Sequence, residues 1–156
     1  MLLVGVLLVG AAGCTPAPTQ APRATGPVDL PAPTSSLAPT AAAACARLLA
    51  ALPGEIDPGV ERRPVDGPRA AWGDPAVVLE CGVPPGDPAD PPATINGLEW
   101  TVRDTGAGFL WSTLRLGVNV SVAIPGAYDN GAELVNPLAA PVLSTLPVAR
   151  PTAPGS

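Results

Sequence analysis

The residues able to do chemistry in this chain are carboxylates, guanidinium groups and three cysteines, because the sequence holds neither histidine nor lysine. Without histidine no Ser–His or Cys–His pair can activate a nucleophile, and without lysine there is no Ser–Lys dyad, Schiff base or phosphate-binding lysine. What survives is a pair of carboxylates working as acid and base, as in glycosidases. The candidates are Glu55, Asp57, Glu61, Asp66, Asp74, Glu80, Glu99 and Asp104. Most lie among prolines and glycines, where an acid is ordinarily solvated surface, so the expectation is no catalytic residue, no cofactor and no enzyme. Asp87 and Asp90 could offer oxygens to calcium, but a Pro-rich loop uses aspartates for turns more readily.

Binding chemistry has two candidates. Arg62-Arg63 is a doublet of positive charge in an otherwise acidic domain. Forked guanidinium groups suit bidentate capture of a carboxylate or phosphate, and the plainer alternative pairs them with Glu61 and Asp66. Trp72, Trp100 and Trp111 are three of the five aromatic residues. Core packing is the default for each. Trp72, next to a Gly-Asp-Pro turn rather than inside an alternating strand, is the one best placed to line a binding surface with Arg62 and Arg63. The net charge of -5 argues against nucleic acid as the partner.

The third kind of chemistry is at Cys14. Residues 1–13 form an apolar run ending in Ala11, Ala12 and Gly13, too short to span a bilayer but matched to a signal-peptide core. Small residues give a peptidase an uncrowded segment, and the cysteine after them offers a thiol for diacylglycerol. The segment resembles a bacterial lipobox, which implies a mature protein beginning at lipidated (palmitate-bearing) Cys14 and held on the outer side of the cell membrane. Acyl chains would be the anchor, since an acidic chain gains little from anionic headgroups. Ala, Pro, Gly and an all-arginine set of cations point to a high-G+C bacterial source.

Residues 14–40 are Pro, Thr, Ala and Ser with almost no large apolar side chain. Such a stretch cannot bury enough surface to offset its ordering entropy and reads as a disordered tether with a reach on the order of 80 Å. Residues 147–156 have the same character. The remainder, 41–146, is the length of one domain. It opens with a helix whose Cys45, Leu48, Leu49 and Leu52 share a face, with Thr40 as its cap. Strands are expected over Ala76–Cys81, Ile95–Val102, Phe109–Leu116 and Val118–Ile124, from period-2 alternation bounded by Gly and Pro. A second helical pattern runs over Ala132–Leu146, where Pro137 and Pro141 should kink or split it. The fold class expected is α+β: a small antiparallel sheet of about four strands, with an N-terminal and a C-terminal helix packed on one face.

Cys45 falls on the core face of the first helix and Cys81 at the end of the first strand. Outside the cytoplasm this pair is most simply one disulfide. Two buried free thiols are the alternative, and a metal site lacks a complete ligand set.

The spacing of Cys45-Ala-Arg-Leu-Leu-Ala-Ala-Leu-Pro53, Glu61-Arg62-Arg63-Pro64, Trp72-Gly73-Asp74-Pro75 and Cys81-Gly82-Val83-Pro84 resembles domain-of-unknown-function family 3515 of actinobacteria. So do Gly97-Leu98-Glu99-Trp100 and the Val-rich strand ending Ile124-Pro125. The resemblance covers about Cys45 to Pro125. It implies a secreted or lipid-anchored envelope protein, supports the disulfide and carries no activity. The function expected is therefore a membrane-anchored binding or accessory module for an envelope protein or glycan. A small-ligand carrier, for instance of a peptidoglycan fragment, or a carboxylate-based hydrolase is the alternative.

Overall fold

The computed structural model describes residues 24–32 and 36–149. Cys14, the segment 1–13 and the end of the tail lie outside them. Two helices and seven strands are present among the described residues: α1 (Pro39–Ala51), β1 (Arg62–Arg63), β2 (Arg69–Trp72), β3 (Val77–Val83), β4 (Pro92–Ile95), β5 (Leu98–Asp104), β6 (Gly108–Thr113), β7 (Asn119–Pro125) and α2 (Gly131–Thr145). The strands form one antiparallel sheet in the order β1-β2-β3-β7-β6-β5-β4.

This corrects the expected sheet of about four strands. The additional strands are β1, β2 and β4, of two, four and four residues. They are too short for a period of two to show, and they sit between prolines that look like loop. The β4–β5 boundary had a sequence signal of its own. Asn96 and Gly97 both take positive φ, 48° and 81°, and close a two-residue hairpin in which Ile95 pairs with Leu98. A type I′ turn needs that backbone at both positions, and Asn-Gly is the pair that supplies it most cheaply. The expected single strand Ile95–Val102 thus begins at the last residue of β4, crosses the turn and continues into β5.

One face of the sheet carries the core. Trp72 from β2, Val77, Leu79 and Cys81 from β3, Val120 and Val122 from β7, and Trp100 from β5 are at most 1% exposed. They share this face because paired residues stay in register: Trp72 opposes Val77, Cys81 opposes Val120, and Leu79 opposes Val122. Trp100 and Trp111 meet edge to face, their centroids 6.4 Å apart. Against this layer lie α1, through Ala44, Cys45 and Leu48, and α2, through Leu134, Val135, Leu138, Ala139 and Val142. α1 starts earlier than expected, with Pro39 in its first turn, and Ala38 rather than Thr40 occupies the cap position without a side-chain bond. Pro suits that turn because the N–H it lacks would have no helical partner there.

α2 is continuous through Pro137 and Pro141, where a kink or break was expected. An interior proline costs about 3 kcal/mol. Five fully buried side chains offset it, at roughly 1.5–3 kcal/mol for each large one. The two prolines are four residues apart and half-buried, at the margin of that buried stripe.

Cys45 and Cys81 form a disulfide, with Cα atoms 5.7 Å apart and a sequence separation of 36. Both are 1% exposed, so the bond fastens α1 to β3 inside the core.

The second face of the sheet is partly covered by two Pro-rich segments. The 84–91 loop lies over β5 and β6: Gly86 N–H donates to Thr113 O at 2.9 Å, and Asp87 accepts from Ala89 N–H in a turn. Arg103 on β5 donates to Asp90 at 3.0 Å and lies 3.6 Å from Asp87. These two aspartates are therefore turn and ion-pair groups. The other cover is a strap. Within the stretch expected as free tether, residues 24–32 lie against the domain. Val28 N–H donates to Pro64 O at 2.8 Å, Arg63 Nε to Gly26 O at 3.1 Å, and Arg69 Nη1 to Pro31 O at 2.9 Å. An extended proline-containing chain leaves its carbonyls unpaired, and the two arginines supply the missing donors. At the other terminus, Gly117 N–H bonds Pro147 O and Ala149 N–H bonds Arg115 O, so the start of the expected tail is also hydrogen-bonded.

Candidate binding cleft beside the strap

The residues singled out in sequence converge on one region, with unequal roles. Trp72 is 0% exposed and its indole N–H donates to Pro53 O at 3.0 Å. It belongs to the core and presents no surface, because β2 is a sheet strand with Trp72 on the face packed by α1. Its partner Arg62 lies over the ring, with the guanidinium carbon 5.1 Å from the centroid, and donates to Leu49 O at 3.4 Å. This is a cation–π contact on the best aromatic acceptor. Burial lowers the Arg62 pKa from its usual value, which leaves a guanidinium charged at every pH a cell reaches.

Arg63 is more completely engaged. Its side chain is 12% exposed. Nη1 donates to Gly73 O at 2.9 Å and lies 3.8 Å from Asp74 Oδ1, while Nε holds the strap at Gly26. Neither arginine pairs with Glu61 or Asp66 among the described residues, so the plain alternative named partners that the fold does not use. Backbone carbonyls and Asp74 take their place. Residues 62 and 63 point to opposite sides of β1, one toward Trp72 and α1, the other toward the strap.

Together these groups border a cleft of about 340 Å³. Ala24 and Thr25 of the strap form one wall, Glu61, Arg62 and Arg63 another, and Gly73, Asp74 and Tyr128 close it. Tyr128 donates its hydroxyl to Pro75 O at 2.8 Å. Burial raises its pKa above the usual 10.0, and the charge of Asp74 adds to the shift. Gly73 has φ +70°, and a Cβ there would strike the Tyr128 hydroxyl and Val60, so the close approach requires glycine. Sequence reasoning passed over Tyr128 and read Gly73 only as part of a turn. The available signal was Tyr128 as the chain's single tyrosine, two residues after a Pro-Gly pair.

The cleft offers two carboxylates, guanidinium edges and a phenol, with no activated nucleophile among its lining residues. It can hold a polar group by hydrogen bonds and charge. Among the described residues no group of three or more His, Cys, Asp and Glu side chains is placed to hold a metal ion. No helix is long and apolar enough to cross a membrane among them.

The family model described as protein of unknown function (DUF3515) matches residues 1–151. The chain belongs to the DUF3515 family. No curated protein and no solved structure matches it. For the DUF3515 fold this means that cleft, strap and disulfide must be read from this chain alone. The match runs well beyond Cys45–Pro125, the stretch on which the sequence resemblance rested, and takes in the strap and both helices.

Proposed function

We propose that this DUF3515 protein is a bacterial envelope lipoprotein of actinobacterial type, anchored through diacylglycerol on Cys14, whose domain is a non-enzymatic binding or accessory module. The single observation that carries the anchor is the short apolar run ending Ala11-Ala12-Gly13-Cys14, followed at once by a Pro- and Thr-rich stretch. The Cys45–Cys81 bond supports the address, since disulfides persist in oxidising compartments. Intact mass of protein from the membrane fraction tests it: residues 1–13 should be missing and acyl mass added. A water-soluble product with an unmodified Cys14 would sink the anchor.

The binding role rests on the cleft beside the strap. Its mixed-charge walls suit a polar envelope partner, protein or glycan, rather than a polyanion, in keeping with the acidic net charge. Arg62 and Arg63 take part through the charge they hold at its edge. Exposed Glu61 is the position to probe, because it lines the cleft without supporting the core. A photo-crosslinker at Glu61 in the full-length protein in its own membrane should give an adduct that one at exposed Ser144 does not. Equal adducts at both positions would remove the cleft from the binding surface.

A further inference from the structure

The strap changes what an anchor at Cys14 does. A tether free over residues 14–40 lets the domain range far from the bilayer, but residues 24–32 are fixed to Arg63 of β1, the adjoining Pro64 and Arg69 of β2 by three hydrogen bonds. They also contribute to the two clefts that flank those strands, Ala24 and Thr25 to the one above, and Leu30, Pro31 and Ala32 to one beside Arg69 and Glu80. Arg69 is 7% exposed; among the described residues it has no acidic partner, its Nη1 donates to Pro31 O of the strap at 2.9 Å, and its buried Nε has no hydrogen-bond partner. A buried guanidinium is costly unless hydrogen-bonded, so the strap is needed where it lies.

From Cys14 to Ala24 the chain has ten steps, which at full extension span at most about 36 Å. From Cys14 to Thr40, where the free tether would have ended, twenty-six steps span at most about 94 Å. On the lipid-anchor reading proposed above, we infer that the strap shortens the tether and makes the Ala24 end of the domain its membrane-proximal end. The cleft of Glu61, Arg63, Asp74 and Tyr128 opens at that end.

The test uses the full lipidated protein in phosphatidylglycerol/phosphatidylcholine vesicles carrying an acceptor dye at the headgroups. A donor dye is placed on Ala127→Cys, an exposed position beside Tyr128, or on Ser144→Cys, exposed near the far end of α2. The two positions are separated by most of the length of α2, about 20 Å. Energy transfer should be greater from position 127. The variant Val28→Pro/Leu30→Ser removes the donor to Pro64 and the apolar wall of the Arg69 cleft without touching the sheet, and it should lower transfer from both positions. Amide exchange keeps the result interpretable if that variant is perturbed otherwise: the Val28 N–H of the unaltered protein should exchange more slowly than that of a free chain. Equal transfer from the two positions, transfer unchanged in the variant, or an unprotected Val28 N–H each overturns the inference while leaving the anchor intact. Protein that fails to float with the vesicles overturns the anchor, and the inference with it.

Discussion

Breaking the Cys45–Cys81 bond should cost a large part of the domain's stability. The bond closes a loop of 36 residues, and on the chain-entropy relation a loop of that length is worth about 4 kcal/mol at 25 °C. Both sulfurs are in the core, so Cys45→Ser also buries a hydroxyl beside an unpaired thiol, which adds about 1–3 kcal/mol if no acceptor is in reach. For a domain of this size, 1 kcal/mol moves the midpoint by about 4 °C, giving an expected fall of about 20–28 °C. Thermal unfolding followed by tryptophan fluorescence is the assay. The design separates the two parts: Cys45→Ala/Cys81→Ala removes the link without a buried hydroxyl and should fall by about 15 °C, as should the unaltered protein under strong reductant. A fall below about 4 °C in both would refute the loop-closure reasoning, and would mean that α1 is held on β3 by packing alone.

Three more predictions rest on single observations. Tyr128 is the only tyrosine, so phenolate absorbance reports it directly, and its midpoint should lie above 10.0 because burial disfavours the charged form. A raised folded-state value means the contribution is intact below pH 10 and is lost as pH climbs through the folded midpoint; Tyr128→Phe should remove that alkaline loss, and a midpoint at or below 10.0 would count against the packing described. Trp72→Ala should destabilise the domain by about 3–5 kcal/mol in chemical denaturation, the range for emptying an aromatic core site, and a change near zero would return Trp72 to the surface. Asn96→Val should cost about 1–2 kcal/mol, since a β-branched residue resists the positive φ of the β4–β5 turn; an unchanged denaturation midpoint would show that another turn type serves as well.

The sequence determined on its own whatever depends on local pattern. The face of α1 that carries Cys45 and Leu48 follows from a 3.6-residue period, and the alternation in β7 follows from a period of two. Cys45 and Cys81 were legible as a pair because each lay at a core-facing position of its element. The Asn96-Gly97 turn had a signal too, a dipeptide that encodes its own backbone, but the alternation of Leu98, Trp100 and Val102 drew the expected strand across it. Tertiary structure decided the rest. β1, β2 and β4 are strands because neighbours supply hydrogen bonds and registers that two to four residues cannot specify themselves. Pro137 and Pro141 stay within a helix because burial of Leu134, Val135, Leu138, Ala139 and Val142 beside them outweighs their local cost. Residues 24–32 have no pattern that would fold them, yet Arg63, Arg69 and Pro64 give their backbone partners from far along the chain. The same holds for the Arg62–Arg63 doublet: its charges were plain in the sequence, but alternation along β1 sent one to the Trp72 ring and the other to the strap. Those assignments are set by which strand lies beside β1, and no spacing within the chain records that.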